Sequence, residues 1–135
     1  MSPSGPPPFR SPQSFSRRCE IAQREVDRVV ESLPAPLREK ARGVVVTLQR
    51  APGAELIDEG WDPDLLGLFN GSEYAGGHDG GFQLPPQMFL FVDNLWEYAD
   101  EDARLFRDEV RRTYLHELGH YLGLDEDDLA ARDLD

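Results

Sequence analysis

Apolar residues recur at helical spacing from Phe15 through Cys19, Ala22, Val26, Val29 and Val30 to Leu33, with charged residues between them. Side chains three and four apart share one face of a helix, so this pattern predicts an amphipathic helix on a core, closed by Pro34 and Pro36. Leu37 to Arg42 predicts a short further helix with Gly43 as its stop. The period then changes. Val44-Val45-Val46-Thr47-Leu48 is continuous and β-branched, which predicts a buried strand ended by Arg50-Ala51-Pro52-Gly53. Glu55-Leu56-Ile57 predicts a short strand, and Asp62 to Phe69 a turn or short helix leading into a strand. Five glycines between Gly71 and Gly81 predict a loop around Tyr74 and His78. Pro85-Pro86 leads into Gln87-Met88-Phe89-Leu90-Phe91-Val92, a second strong strand. Prolines directly before a strand favour the edge of a sheet over its centre. A last long helix is expected to open at Asp100 as N-cap. It carries Ala103, Phe106, Val110, Tyr114, Leu118 and Leu122 on one face, through to Gly123.

This order, without internal repeats, predicts an α+β domain in which a small mixed sheet packs on the N-terminal helix and the last helix. Residues 1–14 read as a disordered or polyproline-like tail, since the first 13 residues hold five prolines and almost nothing apolar. Residues 15–135 then form the domain, and a total of 135 residues suits one modest core. Acidic residues outnumber basic ones 26 to 14, a formal net charge of −12. Such a surface argues against nucleic acid or an anionic membrane as partner, because both require basic groups to neutralise phosphates. A single cysteine, Cys19, excludes an intramolecular disulfide and a cysteine-based zinc site. No apolar run approaches the roughly 18 residues of a membrane span, and the first residues lack the apolar stretch of a secretory signal. A cytoplasmic protein is the expectation. An exposed strand at Gln87 to Val92 would also leave an edge on which a second copy could pair as a homodimer.

The chemistry concentrates in His116-Glu117-Leu118-Gly119-His120, an HExxH pattern inside the last predicted helix. Four residues make slightly more than one turn, so both imidazoles project from one face and can reach one ion. Neutral imidazole suits zinc, and Glu117, beside that face, can reach a water at the metal as a general base without being a ligand. Val110, Tyr114 and Leu118 fall on the opposite side of the helix. Gly123 stands three residues after His120, where a left-handed cap turns the chain sharply. Catalytic zinc takes three protein ligands and keeps one open position. The third ligand is sought in Glu126, which a turn at Gly123 would swing towards the metal, with Asp125, Asp127 and His78 as alternatives. Asp125 also suits the N-cap of a last short helix. Glu109 and Thr113, one or two turns earlier on the metal side, are candidate partners of the imidazoles.

His116-Glu117-x-x-His120-x-x-Gly123-x-x-Glu126 resembles the signature of the zincin metallopeptidases. More narrowly, it resembles the small bacterial zincin-like family of minimal domains with an HExxHxxGxxD motif. Shorter matches are Leu66-Gly67-Leu68-Phe69-x-Gly71 and Leu84-Pro85-x-x-Met88-x-Leu90-Phe91-x-x-Asn94-Leu95. The resemblance covers about residues 15–135. It implies zinc on His116 and His120, Glu117 as general base, and a peptide laid extended along Gln87 to Val92 as a sheet edge, over Gln87, Phe89 and Phe91. One position departs: Glu126 stands where the family has aspartate. Metzincins place a third histidine at that position and need a Met-turn, yet the only methionines are Met1 and Met88. Thermolysin-type enzymes take a glutamate from a later helix, for which the 15 residues after His120 leave no room.

Zinc-dependent hydrolysis of a peptide or protein substrate is therefore the expected function. Oxyanion-stabilising candidates are Tyr74, Tyr98, Tyr121 and Arg132. Two readings from other classes stand beside it. One is a non-catalytic metal-binding or protein-interaction domain. The other is a metal-dependent endoribonuclease, which resembles the chain in histidine spacing and in Asp125. It lacks a counterpart here for its third histidine, where Glu126 stands, and its RNA substrate would meet a charge of −12.

Overall fold

The computed structural model describes residues 14–70 and 85–123. Helix α1 spans Phe15–Ser32 and begins where the Ser14 hydroxyl accepts the Arg17 N–H at 3.1 Å, satisfying a first-turn donor. Its buried face carries Ile21, Ala22, Val26 and Val29, as the spacing predicts. Helix α2, Ala35–Arg42, starts directly after Pro34 and takes Pro36 into its first turn. Proline is tolerated there because first-turn N–H groups have no partner within the helix. The helix is thus longer at its start than the sequence reading has it.

Strands β1 (Val45–Gln49), β2 (Gly67–Asn70) and β3 (Gln87–Phe91) form one mixed sheet in the order β1-β3-β2. β3 runs parallel to β1, with Thr47 opposite Phe89, and antiparallel to β2, with Leu68 opposite Phe89. The expected edge strand is therefore the centre. Pro85 and Pro86 precede the ladder and cost it no donor; Pro86 even accepts the Val45 N–H at 2.9 Å. Met88, Leu90 and Phe91 are fully buried, and apolar residues on both faces suit a strand paired on both sides. Gln87, Phe89 and Phe91 thus lie on a strand whose main chain is already paired, and neither a peptide nor a second copy can add to it. Among the described residues, the sheet edges are β1 and β2.

Two further differences concern short helices. Glu55-Leu56-Ile57, expected as a short strand, lies in helix α3, Ala54–Asp58, closed by local bonds such as Ile57 N–H to Gly53 O at 3.1 Å. Val92–Tyr98, expected partly as strand and otherwise unassigned, is helix α4, which follows β3 without a break. Its signal was present: Val92, Leu95, Trp96 and Ala99 are buried at helical spacing, but the spacing starts inside the apolar run of the strand.

Helix α5, Ala103–Leu122, is capped by Asp102, whose carboxylate accepts the Leu105 N–H at 2.9 Å. Asp100, the expected cap, instead has φ 56°, and Glu101 φ 58°. Both lie in the left-handed turn between α4 and α5. One core joins these elements: Val26 and Val29 of α1, Leu95 and Trp96 of α4, Phe106, Val110, Tyr114 and Leu118 of α5, and Met88 and Leu90 of β3. The α5-facing side of the sheet carries the rows Val46-Met88-Phe69 and Leu48-Leu90-Gly67. The domain is α+β with a small mixed sheet, as predicted; the sheet packs on α5 and α4, whereas α1, expected against the sheet, packs chiefly on α5 and α4. No helix among the described residues is long and apolar enough to cross a membrane.

Candidate metal centre

Helix α5 separates two chemistries by face. Val110, Tyr114 and Leu118 are buried, whereas His116 and His120 are exposed. Burial pushes the Tyr114 hydroxyl up to about 12, with the Asp27 carboxylate adding to the effect, so this phenol stays protonated and serves packing. On the outer side the two imidazole centroids are 4.6 Å apart. Donor atoms of His116, Glu117 and His120 all lie within 4.8 Å of one another, close enough for one ion to meet both rings.

Glu117 is held from outside its own helix. Its Oε1 accepts the backbone N–H of Phe69 at 3.1 Å and lies 3.6 Å from His120 Nδ1. The approach of β2 that makes this bond rests on Gly67. A Cβ at that position would meet Thr113 Cγ2 at 2.7 Å, Phe89 O at 3.2 Å and Leu90 Cδ2 at 3.3 Å. Thr113 and Glu117 are four apart on α5, and Gly67 and Phe69 two apart on β2, so each pair presents one face. Where Thr113 presses on the bare glycine, Glu117 one turn later reaches the Phe69 N–H.

That N–H is free because of strand pairing. Leu66 O accepts from Phe91 N at 2.9 Å, and in an antiparallel ladder the bonded pairs alternate. Leu68 and Asn70 therefore turn their main chain to β3, while Gly67 and Phe69 turn theirs away from it. Nothing in the HExxH spacing announces this contact; the signal nearest to it is the glycine-bearing match around Gly67. Asn94 supports the same strand, donating its side-chain amide to Pro63 O at 2.7 Å and Leu65 O at 2.9 Å.

His116, Glu117 and His120 are brought together as predicted, and Gly123 has the expected left-handed conformation, φ 72°, its N–H bonded to Gly119 O and His120 O. Glu126, Asp125, Asp127 and His78, the third-ligand candidates, lie outside the described residues, as do Tyr74 and Arg132. Thr113 is buried beneath Gly67, and Glu109 bonds Arg112 at 3.2 Å rather than an imidazole. Tyr121 is buried against the Phe69 ring, 5.3 Å between centroids, and Tyr98 is exposed on α4. Gln87, Phe89 and Phe91 sit at the sheet centre.

A family model described as zincin-like metallopeptidase matches residues 41–135, and the chain belongs to that family. Among curated proteins none matches it. The match leaves out α1, although α1 packs on α4 and α5. The family implies a metal, typically zinc, and the donor set fits: two exposed imidazoles one helical turn apart and an adjacent carboxylate.

Proposed function

We propose that the protein hydrolyses peptide bonds with a zinc ion held by His116, His120 and a third ligand, for which Glu126 remains the first choice. The observation that carries this reading is the Phe69–Glu117 bond. It fixes one carboxylate oxygen beside both imidazoles and leaves the other for a water. Zinc at this site supplies Lewis acidity, making water a nucleophile near neutral pH and polarising the scissile carbonyl. Glu117 takes the proton from the attacking water and delivers it to the leaving amine nitrogen. The outer edge of β2, unpaired with another strand among the described residues, gives the peptide a place to lie. Phe69 O and the Gly67 main chain offer hydrogen bonds to an extended chain, in the manner of an added strand. A peptide or protein substrate and a cytoplasmic location complete the proposal.

Glu117→Gln keeps the shape and the Phe69 contact while removing the base. Turnover of a peptide mixture should fall by about 10²–10⁴-fold with one zinc still bound per chain. Undiminished cleavage with zinc in place would end the general-base role. A metal-binding interaction domain is the second reading, favoured by the openness of the site: the His120 side chain is 55% exposed. Stoichiometric zinc with no cleavage of any peptide decides for it.

A further inference from the structure

Behind β2 lies a cavity of about 650 Å³, on the sheet face turned away from α5. Its floor is the cross-strand pair Leu68 and Phe89. Its overhanging wall is α3 and the turn after it, with Leu56 and Trp61 as the apolar surface. Glu55 and Glu59, one helical turn apart, supply its charged lining, and Gln49 and Asn70 add neutral polar groups. Neither carboxylate has an ion-pair partner among the described residues. Asp58, Asp62 and Asp64 add negative charge in the same segment, and no lysine or arginine occurs between Arg50 and Arg104. Phe69 relates the cavity to the metal centre: it lines the cavity and also gives its N–H to Glu117.

We propose that this cavity is a substrate subsite that selects a lysine or arginine side chain of a peptide lying on β2. The proposal rests on the reading of β2 as the substrate strand. Side chains of an extended peptide alternate between faces, so every second one on that edge turns away from α5, towards the cavity. A basic side chain matches what it meets there. Its methylene stem covers Leu68 and Phe89, and its charged head meets Glu55 and Glu59. A guanidinium can in addition lie against the Trp61 ring. A purely apolar side chain would fill the floor but leave the two carboxylates unused. An acidic one would meet repulsion from both.

The test uses the full chain loaded with zinc and carrying Glu117→Gln, so that peptides bind without turnover. A series of short extended peptides, varying one position through lysine, arginine, norleucine and glutamate, is titrated by fluorescence anisotropy at physiological salt. The lysine and arginine peptides should bind about tenfold more tightly than the norleucine peptide. Adding Glu55→Gln and Glu59→Gln should reduce that preference to about twofold or less. Glu97→Gln with Asp108→Asn removes equal charge from α4 and α5 and should leave it intact. Equal affinity for lysine and norleucine, absence of binding, a preference that survives Glu55→Gln with Glu59→Gln, or one lost equally in the control pair would each overturn the subsite. Incubating wild-type zinc protein with the tightest peptide tests the other reading separately. Intact peptide, together with Glu55- and Glu59-dependent binding, would remove the hydrolase and keep the subsite.

Discussion

Two polar constellations in this small domain differ in where their bonds are directed. Around Asp93, at the start of α4, Oδ1 accepts Arg18 Nε at 3.0 Å and Nη2 at 2.7 Å, and Oδ2 accepts Arg50 Nη1 at 3.1 Å. The Arg18 guanidinium also faces Trp96, and that of Arg50 lies 4.3 Å from the Phe15 ring centroid. Arg18 is buried, so its charge is acceptable only because it is paired. This cluster ties α1, the end of β1 and α4 together. Cys19 lies beside it, and burial first, then the Asp93 charge, raises its thiol pKa, so it remains a protonated, poorly nucleophilic group at neutral pH. The His116–Glu117–His120 group is the opposite case. It comes from one helix, two of its three members are exposed, and its shared hydrogen bond leaves the imidazoles facing outward. Ionisable groups whose bonding is consumed internally hold a fold. Groups held in place with donors to spare are available to a ligand.

His120→Ala breaks the comparison most sharply. Zinc affinity, measured by competition with a chelator, should drop by about 10³-fold, close to 4 kcal/mol. The metal-free protein should unfold within about 0.5 kcal/mol of wild type, because the ring is exposed and lies outside the core. Asp93→Ala should do the reverse. Removing the carboxylate that accepts two bonds from the buried Arg18 guanidinium should cost about 2–4 kcal/mol in urea denaturation, while zinc stoichiometry below the transition stays the same. Equal losses of metal and stability in both variants would show that the two clusters are not separable. Gly67→Ala joins the two behaviours at the smallest cost. Its new methyl group drives β2 off Thr113, destabilising by about 1–3 kcal/mol and lowering peptide turnover as Phe69 draws away from Glu117. Adding Thr113→Ser removes the nearest clash and should recover part of both losses. Turnover unaffected by Gly67→Ala would detach the Phe69 bond from the chemistry.

Patterns confined to one element were legible in the chain. Helical spacing placed α1 to within a residue, the HExxH spacing placed both imidazoles on the exposed face of α5, and Gly123 supplied the left-handed stop. The failures share a cause. β3 resembles an edge strand in sequence because prolines directly precede it, whereas the ladder begins only after them, at Gln87. α4 was concealed because its apolar spacing continues that of the strand. The choice of cap among Asp100, Glu101 and Asp102 depends on the path of the turn, which residue spacing does not carry.

By itself, then, the sequence determined which residues share a face of α1 and α5, and with that the grouping of His116, Glu117 and His120. Those are consequences of a helix repeat and need no distant partner. Only the tertiary structure decided that β3 lies between β1 and β2, that Gly67 lets α5 press on the sheet, and that Phe69 holds Glu117. It also joined Arg18 to Asp93 across 75 residues. Strand neighbours and backbone N–H donors carry no residue-specific signature; they become partners only when packing of the core brings separate segments within hydrogen-bonding distance.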